Sequence, residues 1–275
     1  MALKQRGLAG SVVGFVRRNA SVRECQRLGA VDLATMDLQQ AAADSDLIIL
    51  CTPIAQMRPL MEQLRPALKP RAVVTDVGSV KGSVVRELES LAARAGAHFV
   101  GSHPMAGAEK MGVSAARADL FLNAVTVVTP TLKTNKGALR KIESLWKAVG
   151  SRVLRLSPEL HDQLVSRSSH LPHVTAAVLT NFVLNPKHHK AQPALCANGF
   201  RDTTRIASGS PEMWRDIALA NRKHLLASLQ QFSQDLRRFQ KTLQRNDSGA
   251  ITKFFARAKQ NRDAWAEQLR SPSPE

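Results

Sequence analysis

The sequence predicts an α/β fold, a doubly wound parallel sheet with helices on both faces, followed by an all-α domain. Two observations carry this. Short apolar runs of strand length alternate with helical patterns through the first half of the chain, and the strand pattern stops after Ser157-Pro158.

Taken in order, the runs are Val12-Val13-Gly14-Phe15-Val16, Leu47-Ile48-Ile49-Leu50-Cys51, Ala72-Val73-Val74-Thr75-Asp76, His98-Phe99-Val100 and Val125-Thr126-Val127-Val128. Runs this short and this apolar are typical of strands covered on both faces. Between the third and fourth, Val80, Val84, Leu88, Leu91 and Ala95 fall on one side of a helix. A helix over 136–149 and a strand from Arg152 to Arg155 complete a first domain, residues 1–156. Residues 157–270 read as helical. Pro211 suits the first position of a helix, and Leu225, Leu229, Phe232, Leu236, Phe239 and Leu243 recur at alternating spacings of four and three. That seam serves either packing within the domain or a helix shared with a second copy of the chain, and the whole favours a helical dimerisation domain. Residues 271–275, Ser-Pro-Ser-Pro-Glu, read as a disordered tail.

Composition narrows the function classes. With 275 residues and 44% hydrophobic content the chain can bury a core. No run reaches the roughly 18 apolar residues of a membrane span, and Lys4 and Arg6 interrupt the N-terminus before a signal-type stretch builds up. Cys25, Cys51 and Cys196 are odd in number and far apart, which argues against a disulfide framework or a zinc site and fits a reducing cytoplasm. The net charge of +17 would attract nucleic acid, an acidic membrane surface or an anionic metabolite. Its scatter along the chain, with few aromatic residues, favours the metabolite.

A dinucleotide-binding sheet of the Rossmann type opens with a strand running into Gly-x-Gly-x-x-Gly at a helix N-terminus. This chain has no such turn. Met1 to Leu8 read as the end of the helix after that loop, so Val12–Val16 becomes the second strand of the fold and the chain begins about 25 residues late. A start codon assigned too far downstream is favoured over a genuine truncation. The end of that strand selects between cofactors, an acid favouring NAD and arginine favouring NADP. Here Arg17 and Arg18 follow Val16, which favours NADP with NAD as the other option; solvated surface arginines are the plain reading.

Three segments then close successive strands: Cys51-Thr52-Pro53, Thr75-Asp76-Val77-Gly78-Ser79-Val80-Lys81, and Gly101-Ser102-His103-Pro104-Met105-Ala106-Gly107-Ala108-Glu109. Open α/β sheets bind ligands at those ends. Joined to His170-Leu171-Pro172-His173, to Gly199-Phe200-Arg201-Asp202-Thr203-Thr204-Arg205 and to Met213-Trp214-Arg215-Asp216, the set resembles the prephenate and arogenate dehydrogenases of tyrosine biosynthesis. The resemblance covers the chain up to the tail and fails only at the missing N-terminal strand and phosphate loop. It implies a Rossmann-type domain, a helical dimerisation domain and oxidative decarboxylation with NAD or NADP. It also implies His103 as the catalytic hydrogen acceptor, Ser79 supporting it and the nicotinamide, Thr52 and Pro53 beside the cofactor, and His173 and Arg205 contacting substrate. Arg201, Asp202 and Trp214 fall beside them, while Glu109 and Asp162 match acidic positions that pair with arginines and gate access.

The chemistry needs these residue types. A base must take the substrate's hydroxyl proton as hydride leaves for the nicotinamide, and loss of CO2 then makes the ring aromatic. Histidine suits the base because its ordinary pKa lies near ~6.5, and arginines bind carboxylates bidentately. Plainer readings stand beside these. His173 and His170 can simply cap or pack, with His170 the structural member; Trp214 can be core; Asp162 can cap the helix beginning near it. No third ligand follows the two histidines, so no metal is expected. A catalytically inactive binding or structural dimer is the rival function.

Overall fold

The computed structural model describes residues 1–107 and 112–270. A helical turn α1 (Ala2–Gln5) leads to β1 (Val13–Phe15), α2 (Asn19–Arg27), β2 (Leu33–Thr35), α3 (Leu38–Ala42), β3 (Leu47–Leu50) and α4 (Ile54–Leu64). Next come β4 (Val73–Asp76), α5 (Gly82–Arg94), β5 (His98–Pro104), β6 (Val125–Thr129), α6 (Lys136–Ala148) and β7 (Arg152–Arg155). Thereafter the described residues are helical: α7 (Pro158–Val165), α8 (Leu171–Val183), α9 (Asn198–Thr204), α10 (Pro211–Ala220), α11 (Arg222–Gln244) and α12 (Ser248–Arg270).

The strands form a parallel pair, β1-β2, and a five-stranded sheet ordered β3-β4-β5-β6-β7. One junction departs from the parallel expectation: β5 and β6 run antiparallel, with His103 opposite Val127. Among the described residues the connection from Pro104 to Val125 holds only a short 3-10 turn, Val113–Ala115, too short to carry the chain back across the sheet, and β6 returns beside β5 in the opposite sense. The expected alternation of faces holds. Val74 and Phe99 pack with Met57, Met61, Val85 and Leu88 on the α4–α5 side. Val73, Val100 and Val128 face Ile142 and Trp146 of α6 on the other. At ~25 cal/mol per Å² of apolar surface, these two layers supply the main stabilisation.

The chain forms two compact units, Met1–Leu225 and Leu226–Glu275. Ser157-Pro158 therefore falls inside the first, where the Ser157 hydroxyl accepts from Leu160 N at 3.2 Å and Pro158 starts α7. In the second unit the chain turns through Asn246, φ 51°, and Phe239 packs on Phe254 and Phe255 at ring-centroid distances of 4.6 and 5.8 Å. Leu236 and Leu243 of the heptad face stay 54% and 49% exposed, so packing inside this unit does not use up the seam. No helix among the described residues is long and apolar enough to cross a membrane.

Candidate active site

The site grows from the carboxyl ends of β4 and β5. Asp76, the last residue of β4, is fully buried and turns its carboxylate back on the loop that follows. Oδ2 accepts from Gly78 N at 2.8 Å, Oδ1 from Ser102 N at 3.2 Å, and the Lys81 ammonium completes a buried ion pair. Lys81 Nζ also donates to the Ser102 carbonyl at 2.8 Å. Such a pair persists in the interior because each charge is answered by hydrogen bonds. Gly78 is dictated by close approach: a Cβ there would lie 2.9 Å from Asp76 Oδ2 and 3.1 Å from Met57 Cε. Ser79 follows, half-buried, on the surface of this knot.

His103 lies within β5 rather than in a turn after it, because the antiparallel ladder with β6 extends the strand to Pro104. Its ring is 8% exposed, and Nδ1 sits 2.8 Å from Nε2 of His161. His161 Nδ1 in turn lies 2.8 Å from Asp162 Oδ1. Burial, then the Lys81 charge and the neighbouring His161 and His170, push the His103 pKa well below its ordinary 6.5. Burial also lowers His161, against the opposing pull of Asp162. Both rings are neutral at physiological pH.

Asp162 corrects one expectation. Among the described residues it pairs with no arginine. Its oxygens accept from Lys81 N at 2.7 Å and Gly82 N at 2.8 Å, so it caps α5 from a distant helix rather than its own α7. The physical reason is burial: at 4% exposed it must be answered by interior donors, and the α5 N-terminus supplies them.

His170 closes a widened helical turn, Ser166–His170, and is 1% exposed. Asn221 Nδ2 lies 3.1 Å from His170 Nδ1 and donates to the Asp162 carbonyl at 2.8 Å. Burial drives the His170 pKa down to about 4. The Ser79 backbone lies beside this ring and weakly favours its charged form, yet Nε2 completes no hydrogen bond. His173, one turn on, is anchored by Nδ1 to the Ser169 carbonyl at 2.8 Å and lies against Trp214. His170, His173, Ala177, Ile206, Trp214 and Ile217 line a cavity of about 390 Å³.

The remaining candidates are less assembled. Arg205 heads the turn Arg205–Ser208, exposed, one residue before the cavity-lining Ile206. Arg201 and Asp202 are exposed and face each other at 3.8 Å. Arg17 and Arg18 follow β1, with Arg18 preceding α2 and both solvent-facing. Glu109 lies outside the described residues. Thr52 and Pro53 lead into α4, and the buried Thr52 hydroxyl has no hydrogen-bond partner among the described residues. Among the described residues no group of three or more His, Cys, Asp or Glu is placed to hold a metal ion.

Comparison with known proteins matches this arrangement. The profile of the prephenate dehydrogenase nucleotide-binding domain covers residues 1–155, and that of the dimerization domain covers residues 157–257. The chain belongs to the prephenate dehydrogenase family. It is thereby a dehydrogenase, and the inactive structural dimer is not favoured. It is 33% identical to the prephenate dehydrogenase of Bacillus subtilis, over 96% of this chain and 71% of that one. It is 34% identical to the cyclohexadienyl dehydrogenase of Zymomonas mobilis, over 91% and 86%. Prephenate dehydrogenase from Aquifex aeolicus, in complex with hydroxyphenyl propionate and NAD+, superposes with a TM-score of 0.90 at 32% identity, covering 96% of this chain and 92% of that one. Synechocystis arogenate dehydrogenase gives 0.81 at 32%, over 96% and 94%.

His161 escaped the sequence reading. No local signal marks it: Leu160 and Leu164 of α7 are 40% and 43% exposed while His161 and Asp162 are buried, the reverse of what the apolar pattern implies.

Proposed function

We propose that the chain oxidises and decarboxylates prephenate or arogenate, with NADP or NAD as hydride acceptor, as a cytoplasmic homodimer. Residues 1–156 hold the cofactor, and residues 157–270 supply the dimer interface and much of the substrate pocket. The carrying observation is His103: buried, neutral, engaged through Nδ1, at the carboxyl edge of the sheet and beside the Ser79 loop.

The residues present fit the two ends of a dinucleotide. The orphaned Thr52 hydroxyl, Pro53 and Ser79 suit the nicotinamide end, and Arg17 and Arg18 suit a ribose 2′-phosphate. No Gly-x-Gly-x-x-Gly turn in this sequence serves the pyrophosphate. When bound, the nicotinamide accepts hydride.

The protein's part is then to place a base and exclude water. His103 Nε2 takes the ring-hydroxyl proton while Ser79 supports His103 and the nicotinamide. His173 Nε2, with Nδ1 tied to Ser169, faces the ligand over the Trp214 ring, and Arg205 and Arg201 answer the carboxylates. Proton removal lets hydride leave, and loss of the ring carboxylate as CO2 yields the aromatic product. Glu109 separates the two substrates, because a carboxylate near the side chain favours the arogenate ammonium over the prephenate keto group; the other role open to it is gating with Arg205.

The exposed heptad leucines support a helix shared between copies. Assaying the chain with each substrate and each nicotinamide tests the activity, the expected result being CO2 release coupled to cofactor reduction. No turnover in any of the four combinations would overturn it.

A further inference from the structure

We propose that His161 is a positioning residue for this reaction, fixing His103 as a base through Nε2 and receiving the His103 Nδ1 proton as the substrate proton arrives. The proposal rests on the reading of His103 as the base.

The derivation starts at the carboxylate. Asp162 accepts from two backbone N–H groups, and an ionised carboxylate can only accept, so the ring nitrogen facing it, His161 Nδ1, carries a proton. A neutral imidazole has one N–H, which leaves His161 Nε2 a lone pair. His103 Nδ1, 2.8 Å away, must therefore be the donor. Its one proton spent there, His103 keeps a bare Nε2, the nitrogen a base needs. One carboxylate thus sets two tautomers in series.

The surroundings explain why a relay is needed. His103 is buried among Lys81, His161 and His170, all of which oppose an imidazolium there. His161 also faces the Lys81 charge but has Asp162 in contact and Asp76 nearby. When the substrate O–H breaks and N–H forms at His103 Nε2, the Nδ1–H bond breaks and N–H forms at His161 Nε2. The positive charge then rests against Asp162, while hydride goes to the nicotinamide. Protons and electrons balance.

Two experiments test this. Nitrogen-15 histidine NMR of the unliganded wild-type protein should show both rings as Nδ1–H tautomers at neutral pH; a His103 Nε2–H tautomer would overturn the proposal whether or not the protein turns over. In steady-state kinetics His161→Leu should lower kcat about 10²-fold or more, with KM for substrate and cofactor changed less than roughly twofold. His161→Gln, whose amide oxygen still accepts from His103 Nδ1, should recover about tenfold of that loss. Equal losses in both variants with raised KM and lowered Tm would mean a packing role only and sink the relay. A wild-type chain with no turnover would defeat the base assignment instead, leaving the tautomer pattern to decide the relay alone.

Discussion

The imidazole of His173 lies flat against the indole of Trp214, ring centroids 3.7 Å apart and planes 28° apart. Glycine makes room for this stack, since a Cβ on Gly209 would come within 2.6 Å of Trp214 Nε1. The indole is pinned between a helix and a turn, and the His173 ring is pinned against the indole.

Disturbing that stack should therefore act on substrate binding. Trp214→Ala should raise KM for substrate several-fold, on the order of the 0.5–1.5 kcal/mol that such ring pairs contribute. Gly209→Ala should reproduce part of the effect by displacing the indole. Titration with hydroxyphenyl propionate in a calorimeter measures both; unchanged affinity in Gly209→Ala would detach Trp214 from the pocket.

Acid should destabilise the fold through its histidines. His170 titrates at about 4 when folded against an ordinary 6.5, so between these values the unfolded chain holds more protons than the folded one. Stability then rises with pH and is lost as pH falls from about 6.5 to about 4, by about 3 kcal/mol for this residue alone. His103, His161 and His173 are shifted the same way and add to the same slope. Urea unfolding across this range should show the fall, and His170→Asn should flatten it.

The Lys81–Asp76 pair should resist only paired replacement. Lys81→Met strands a buried carboxylate and should cost about 3–5 kcal/mol, read from the denaturant midpoint. Where the variant still folds, loss of the ammonium beside His103 raises that residue's affinity for protons. The acid limb of kcat/KM should then move to higher pH. A limb that stays put would show that Lys81 does not act on His103.

Cofactor choice should depend on Arg17 and Arg18. NADP should be used better than NAD, and replacing both arginines with Ala should erode the difference by removing contacts to the 2′-phosphate. Equal use before mutation would mark the pair as surface charge.

Most of the sheet could be read from the sequence because strands covered on both faces write themselves as apolar runs, as Leu47–Leu50 and Val73–Asp76 do. β2 was missed: Leu33-Ala34-Thr35 is three residues long, with Leu33 45% exposed. The direction of β6 was equally hidden, since a run such as Val125–Val128 reads the same for either sense of pairing. His103, Ser79, His170 and His173 stood out through their motifs. His161 did not, because placing apolar residues inward turns α7 the wrong way round. Its burial is set by His103 on β5 and by its neighbour Asp162, which is held at the start of α5, and no local pattern records either.

One carboxylate ties assembly to competence. The oxygens of Asp162 hold the first amides of α5, some eighty residues earlier in the chain, and one of them also orients His161. Until α7 has docked on that helix end, the histidine series has no anchor and His103 no preferred tautomer. With His103 as the proposed base, a partly folded chain would be chemically silent, and activity would report that a long-range docking event is complete.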